Sequence, residues 1–170
     1  NVITDINIPQ YKTIKNIAKK EKNAVVQELN NWEISKWLIR VPYPYKYEDA
    51  IKWLRLTENN ELCFNIFIKN ILIGGISLDT KENSSHLELG YWISEKYWGN
   101  GYAQESCLLL IKYAFNNTSM SIIHASHMAD NNKSKKILIN LGFKEIGKGK
   151  KFSISRGEDV EDIDYELLKS

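Results

Sequence analysis

Residues 98–103 read Trp-Gly-Asn-Gly-Tyr-Ala, placing two of the chain's nine glycines on either side of one asparagine. The preceding stretch, His86 to Ser94, has the apolar and aromatic content of a buried strand. The following stretch, Gly101 to Asn116, carries apolar residues at Ala103, Cys107, Leu108, Leu110, Ile111, Ala114 and Phe115, the spacing of a helix buried on one side. Such a junction exposes backbone N–H groups that have no partner within the helix, and the helix dipole makes their surroundings favourable to an anion. Glycine lets the backbone curl around a phosphate with no Cβ in the way. The chemistry this stretch offers is pyrophosphate binding by main-chain atoms.

Residue types exclude two familiar pyrophosphate loops. A Walker A loop needs a Lys-Ser/Thr pair after its second glycine, and Tyr102-Ala103 stands there. A dinucleotide fingerprint needs Gly or Ala where this chain has Gln104, and an acidic residue about 20 positions on. The chain offers Asn and Thr there instead.

The elements that must position this loop follow from the apolar patterning. The first half reads as helices over Ala24–Asn30, Trp32–Ile39 and Tyr47–Thr57, interrupted by Val41-Pro42-Tyr43-Pro44. Strands are expected over Leu62–Ile68 and Ile71–Leu78, with Lys69-Asn70 as a tight hairpin turn, then over His86–Ser94 and Ser121–Met128. A helix over Asn131–Leu141 is capped by Asp130, with Gly142 placed for a left-handed ending. Phe143–Gly147 and Asp162–Leu168 close the chain as strands. The order α-α-α-β-β-β-α-β-α-β-β describes an α/β sandwich around a mixed sheet.

Composition narrows the class further. The chain has 170 residues and is 43% hydrophobic, which suits one globular domain spanning 1–170. A net charge of +2 is too small to mark a nucleic-acid surface. Lys12, Lys15, Lys19, Lys20 and Lys22 crowd one end, and Glu158, Asp159, Glu161, Asp162, Asp164 and Glu166 the other; both read as solvated faces. Cys63 and Cys107 lie in apolar runs and read as buried thiols of a reducing compartment. Without an apolar run of membrane-spanning length or a signal peptide, the expectation is a soluble cytoplasmic protein that binds no membrane.

On these residues the sequence resembles the GNAT superfamily of acyl-CoA-dependent N-acyltransferases, and within it the branch of ribosomal-protein alanine and spermidine acetyltransferases. That family's first signature is Gln or Arg, two residues, Gly, one residue, then Gly or Ala. Trp98-Gly99-Asn100-Gly101-Tyr102-Ala103 matches it with Trp98 in the Gln/Arg position. The second, Asn-x-x-Ser followed by a Leu-Gly-Phe ending, appears as Asn131-Asn132-Lys133-Ser134 and Leu141-Gly142-Phe143. Residues 32–54 resemble the branch's N-terminal pattern, whereas residues 1–9 lack the family's usual Arg-Leu-x-Leu-Arg opening.

The resemblance implies a mixed, mostly antiparallel sheet flanked by helices, with acetyl-CoA in a cleft between the fourth and fifth family strands. It implies an N-acetyltransferase acting on a primary amine by direct attack, with no metal, as a monomer or homodimer. Trp92, Ile93 and Ser94 would offer backbone groups to pantetheine; Trp98, Gly99, Asn100, Gly101, Tyr102 and Ala103 would hold the pyrophosphate; Asn131 would orient the pantetheine arm. Glu88 is the implied base, with a pKa expected to be raised on a half-buried strand; His86 and His124 are weaker alternatives. Ser134 shares a helix face with Ile137 and Leu138 and is the implied proton donor to the thiolate. The acceptor is open among protein N-termini, polyamines, aminoglycosides and amino acids. The rival class is a catalytically silent acetyl-CoA-binding domain acting as a sensor or assembly partner.

Overall fold

The computed structural model describes residues 10–13, 19–81 and 83–170, with side chains from residue 20 onward. Residues 1–9, and the side chains of Lys12, Lys15 and Lys19 from the lysine cluster, lie outside the described residues. The order is β1 (Gln10–Thr13), α1 (Lys19–Leu29), α2 (Trp32–Ser35), α3 (Tyr47–Thr57), β2 (Cys63–Ile68), β3 (Ile71–Thr80) and β4 (Leu87–Ile93), followed by α4 (Tyr102–Asn117), β5 (Ile122–Met128), α5 (Asn132–Asn140), β6 (Lys144–Ser153) and β7 (Glu158–Leu168). One seven-stranded sheet runs in the order β1-β2-β3-β4-β5-β7-β6. It is the α/β fold the sequence implies, with every neighbouring pair antiparallel except β4 with β5.

The structure departs from expectation at several elements. A strand, β1, precedes the helices and pairs with β2, although its sequence Gln-Tyr-Lys-Thr is too short and polar to announce one. The second helix stops at Ser35 rather than Ile39. The last two strands form a long hairpin because β6 is an edge strand, where a mostly exposed Lys- and Gly-bearing sequence can still pair on one side. α1 also starts at Lys19 rather than Ala24; elsewhere the local reading holds. Tyr47–Thr57 is helical as expected, and Lys69 and Asn70 both take positive φ (47° and 66°), the geometry of a two-residue hairpin turn.

Each face of the sheet buries its own core. On one face, Cys107, Leu110, Ile111 and Ala114 of α4 and Leu138 of α5 pack on Ile76, Leu78, Leu87, Leu89, Ile123 and Tyr165. On the other, Val25, Leu29, Ile34 and Ala50 of the first three helices pack with Phe67 and Leu72. Cys63 and Cys107 are both buried free thiols.

The feature that matters for function lies at the centre of the sheet. β4 pairs with β3 over its full length, from Leu87–Thr80 to Ile93–Gly74, and β5 pairs with β7 from Ile122 to Met128. β4 and β5 pair with each other only at Leu87–Ile123 and Glu88–His124. Beyond Glu88 the two strands part, and the sheet opens between them.

Candidate functional site

The ladder itself says which β4 backbone groups face that opening. The Ser94 N–H donates to the Ile73 carbonyl at 2.7 Å, and the Leu78 N–H turns away to the Leu62 carbonyl of the β2 side at 3.0 Å. Antiparallel pairing alternates, so Gly90 and Trp92 exchange bonds with β3, and Tyr91 and Ile93 present theirs to the cleft. Of the backbone groups the sequence singles out, Ile93 faces the opening, whereas Trp92 and Ser94 turn toward β3. The Ile93 carbonyl accepts from the Trp98 indole Nε1 at 2.7 Å, which staples the loop to the end of β4.

That loop carries the two glycines. Gly99 and Gly101 both have φ of +78°, a conformation glycine adopts without strain. A Cβ built on either would meet nothing within 4 Å, so the space above the turn is open. The Asn100 amide holds the turn from within, donating to the carbonyls of Tyr97 (3.0 Å) and Trp98 (3.2 Å). Gly101 is the N-cap of the sixteen-residue α4, whose first residues are Tyr102 and Ala103, and no side chain occupies the cap. An open, Cβ-free turn at the start of a long helix fits a pyrophosphate. Lys133 of α5 lies over the Trp98 ring, its Nζ 4.7 Å from the centroid, and brings a cation beside the loop. Sequence reading passed over Lys133, although its place inside the Asn-x-x-Ser motif was a usable signal.

On the far wall stands the N-terminus of α5. Its N-cap is Asn131, not Asp130: Asn131 Oδ1 accepts from the Ser134 N–H at 3.2 Å. Asp130 precedes the cap by one residue, too early for its side chain to take the place Asn131 fills. The Ser134 hydroxyl lies 2.6 Å from the Tyr91 hydroxyl of β4. This contact spans the opening and ties one wall to the other. Nothing local marks Tyr91 for this contact, since 43 positions separate it from Ser134. Gly142 ends α5 with φ of +92°, the left-handed position expected for it.

Glu88 occupies the last paired position before the strands part, with Asp79 opposite it on β3 and His124 on β5. Its side chain is 26% exposed, and Oε2 makes an ion pair with Lys81 Nζ at 2.7 Å and lies 3.9 Å from Arg40. This corrects the expected direction of its pKa. Burial does raise it, but the Lys81 hydrogen bond and charge, helped by Arg40 and Lys151, outweigh burial and hold the carboxyl below its ordinary value. The raised carboxyl is its neighbour Asp79, through burial, against donated bonds from Ser77 (3.1 Å) and Asn60 (2.7 Å). His86 and His124 stack with ring centroids 3.9 Å apart, and His124 Nε2 contacts Glu166 Oε2 at 2.8 Å. Register partners share a sheet face, so Asp79, Glu88, His124 and Glu166 form one polar row. Tyr91, an odd number of positions from Glu88, lies on the opposite face. Glu88 and Ser134 thus flank the opening from its two sides. Among the described residues no three His, Cys, Asp or Glu side chains gather as a metal site, and no helix is long and apolar enough to cross a membrane.

Comparison with known proteins bears on the family and the fold. Residues 13–144 match the acetyltransferase (GNAT) domain family. A relative from Bacillus subtilis (strain 168), YdaF, named provisionally as a ribosomal N-acetyltransferase, is 26% identical, with 95% of this chain and 93% of that protein covered. A GNAT-family acetyltransferase from Bacillus anthracis superposes with a TM-score of 0.81 at 20% identity, covering 98% of this chain and 97% of that one. The microcin C7 self-immunity acetyltransferase MccE, solved with acetyl-CoA and AMP, gives a TM-score of 0.77 at 18% identity over 95% of this chain and 92% of its own.

The ion pair at Glu88 carries its own test. Replacing Lys81 by Met removes the largest influence favouring the ionised carboxylate and leaves burial in control. The Glu88 titration midpoint, followed by carboxyl-carbon NMR, is expected to move upward in Lys81→Met. A midpoint that stays put would show that Lys81 does not set it.

Proposed function

Because the chain belongs to the GNAT acetyltransferase family and is an N-acetyltransferase, we propose that it transfers acetyl from acetyl-CoA directly to a primary amine while both substrates are bound. The observation that carries this reading is the parting of β4 and β5 beyond Glu88–His124, with the Gly99–Ala103 turn at one end of the opening. Acetyl-CoA supplies the activated acetyl group; the chain's residues supply the seat and the polarity. The main-chain N–H groups at the start of α4 receive the pyrophosphate, with Lys133 beside them. The backbone of Tyr91 and Ile93 offers the peptide-like amides of pantetheine a strand edge to pair with.

Direct attack needs a neutral amine, a way out for its proton and a stabilised thiolate. Glu88 receives the amine proton, directly or through a water. Held ionised by Lys81, it is ready as an acceptor throughout the neutral range. A rise of turnover with pH across that range then reports the acceptor amine losing its own first proton. Ser134, at the N-terminal turn of α5, faces the departing sulfur, where the helix dipole also favours negative charge. The acceptor class nearest at hand is a protein N-terminus, since a structural neighbour from Salmonella typhimurium is described as modifying the N-terminal serine of a ribosomal protein; polyamines, aminoglycosides and amino acids belong in the same assay.

Two measurements test the reading. Acetyl-CoA is expected to raise the thermal midpoint of the protein and to release thiol in the presence of at least one of those amines. Gly101→Val, which puts a branched side chain at a φ of +78° in the open turn, is expected to abolish the stabilisation while the ligand-free protein still melts cooperatively. Undiminished stabilisation would place the pyrophosphate elsewhere. With an active amine, Glu88→Gln is expected to lower turnover by about 100-fold or more with acetyl-CoA affinity kept, the usual scale of a lost general base. Unchanged turnover would assign amine deprotonation to solvent.

A further inference from the structure

A serine at the start of a helix is a poor instrument for meeting a sulfur atom. Its hydroxyl rotates freely, and the carbonyl one turn back competes for its proton. In this chain both ends of Ser134 are held: its N–H by Asn131 Oδ1 and its Oγ by the Tyr91 hydroxyl at 2.6 Å, a short O–H···O contact. Tyr91 is itself fixed, because it sits within the unbroken β3–β4 ladder opposite Ile76 and packs on the core beneath α4.

We propose that Tyr91 is a positioning residue for acetyl transfer, its phenol donating to Ser134 Oγ so that the serine's own proton is directed into the opening between β4 and β5. The inference rests on the acetyl-transfer reading above and adds a residue to it. Two hydroxyls in one pair put only one proton between them, so the direction of donation decides which proton is left over. A phenol is the stronger donor of the two. Burial, with Cys107 nearby, pushes the Tyr91 pKa up, so the phenol keeps its proton at any pH at which the protein works. A hydroxyl that accepts one hydrogen bond becomes a better donor of the next. The arrangement therefore polarises the Ser134 O–H and aims it.

The step balances without either residue giving up its proton. The amine nitrogen bonds to the acetyl carbon, the carbon–sulfur bond breaks with its electron pair staying on sulfur, and the surplus amine proton leaves through Glu88 or solvent. The thiolate, stabilised by the Ser134 O–H, is then protonated from solvent.

The test is Tyr91→Phe, which keeps the ring in the core and deletes only the hydroxyl. Its kcat is expected to fall by about 3- to 10-fold, the scale of one neutral hydrogen bond, with KM for acetyl-CoA unchanged. The loss is expected to shrink with an acetyl thioester of a more acidic thiol, since that leaving group needs less help. Ser134→Ala is expected to lose about 10- to 100-fold, and the double variant no more than Ser134→Ala alone, because the phenol acts only through the serine. Additive losses, equal losses for both thioesters, or an unchanged kcat would each overturn the positioning role while leaving the transfer reading intact. A wild-type protein that transfers acetyl to no amine would overturn that reading, and the role of Tyr91 with it.

Discussion

The structure turns on one pairing that stops. β4 and β5 are parallel neighbours held together at Leu87–Ile123 and Glu88–His124, and nowhere further along. Each then follows its other partner, β4 with β3 to Ile93 and β5 with β7 to Met128. A sheet that stayed closed would satisfy the Tyr91 and Ile93 backbone groups with β5 and leave nothing for a ligand to pair with. Parting the strands leaves main-chain donors and acceptors at the centre of the fold, where an extended, amide-bearing molecule can replace the missing neighbour. The surrounding elements keep the opening from collapsing. Trp98 pins the loop at its end through the Ile93 carbonyl, and the Tyr91–Ser134 contact braces it from the α5 side.

The same parting brings together groups that belong to opposite faces of the sheet. The polar row of Asp79, Glu88, His124 and Glu166 lies on one face, and Tyr91 and Ser134 meet on the other. In a closed sheet these two sets could not act on one molecule. At the point where the strands separate, a bond reached from both sides can have a carboxylate on one flank and a hydroxyl pair on the other. The hairpin of β6 and β7 steadies the far wall. Lys151 reaches across to Asp162 (3.0 Å), Asp164 (3.2 Å) and Ser126 (3.0 Å), and so pairs the fully buried Asp162 carboxylate, which would be costly if left alone.

Local sequence carried the parts of this design that local chemistry decides. The branched and aromatic runs marked β2 to β5, the stripe of Ala50 and its neighbours marked α3, and Gly142 marked a position of positive φ. Parts set by distant partners were not legible. β1 is four residues whose strand character comes from pairing with β2, and β6, expected only over Phe143–Gly147, runs on to Ser153 through exposed lysines and glycines that pair with β7. The direction of the Glu88 pKa is not legible in the sequence, because burial belongs to its own strand, whereas Lys81 and Arg40 reach it from neighbouring loops. Tyr91 looked like one more aromatic in a strand until the fold placed it against Ser134.

The central claim is that the unpaired stretch of β4 is a seat for pantetheine, and amide hydrogen exchange along that strand tests it most directly. In the ligand-free protein the Gly90, Trp92 and Ser94 amides should be protected by β3, while those of Tyr91 and Ile93 exchange quickly. Acetyl-CoA should slow exchange at Tyr91 or Ile93 selectively. Protection of these two amides before ligand is added, or rapid exchange that saturating acetyl-CoA leaves untouched, would contradict the account.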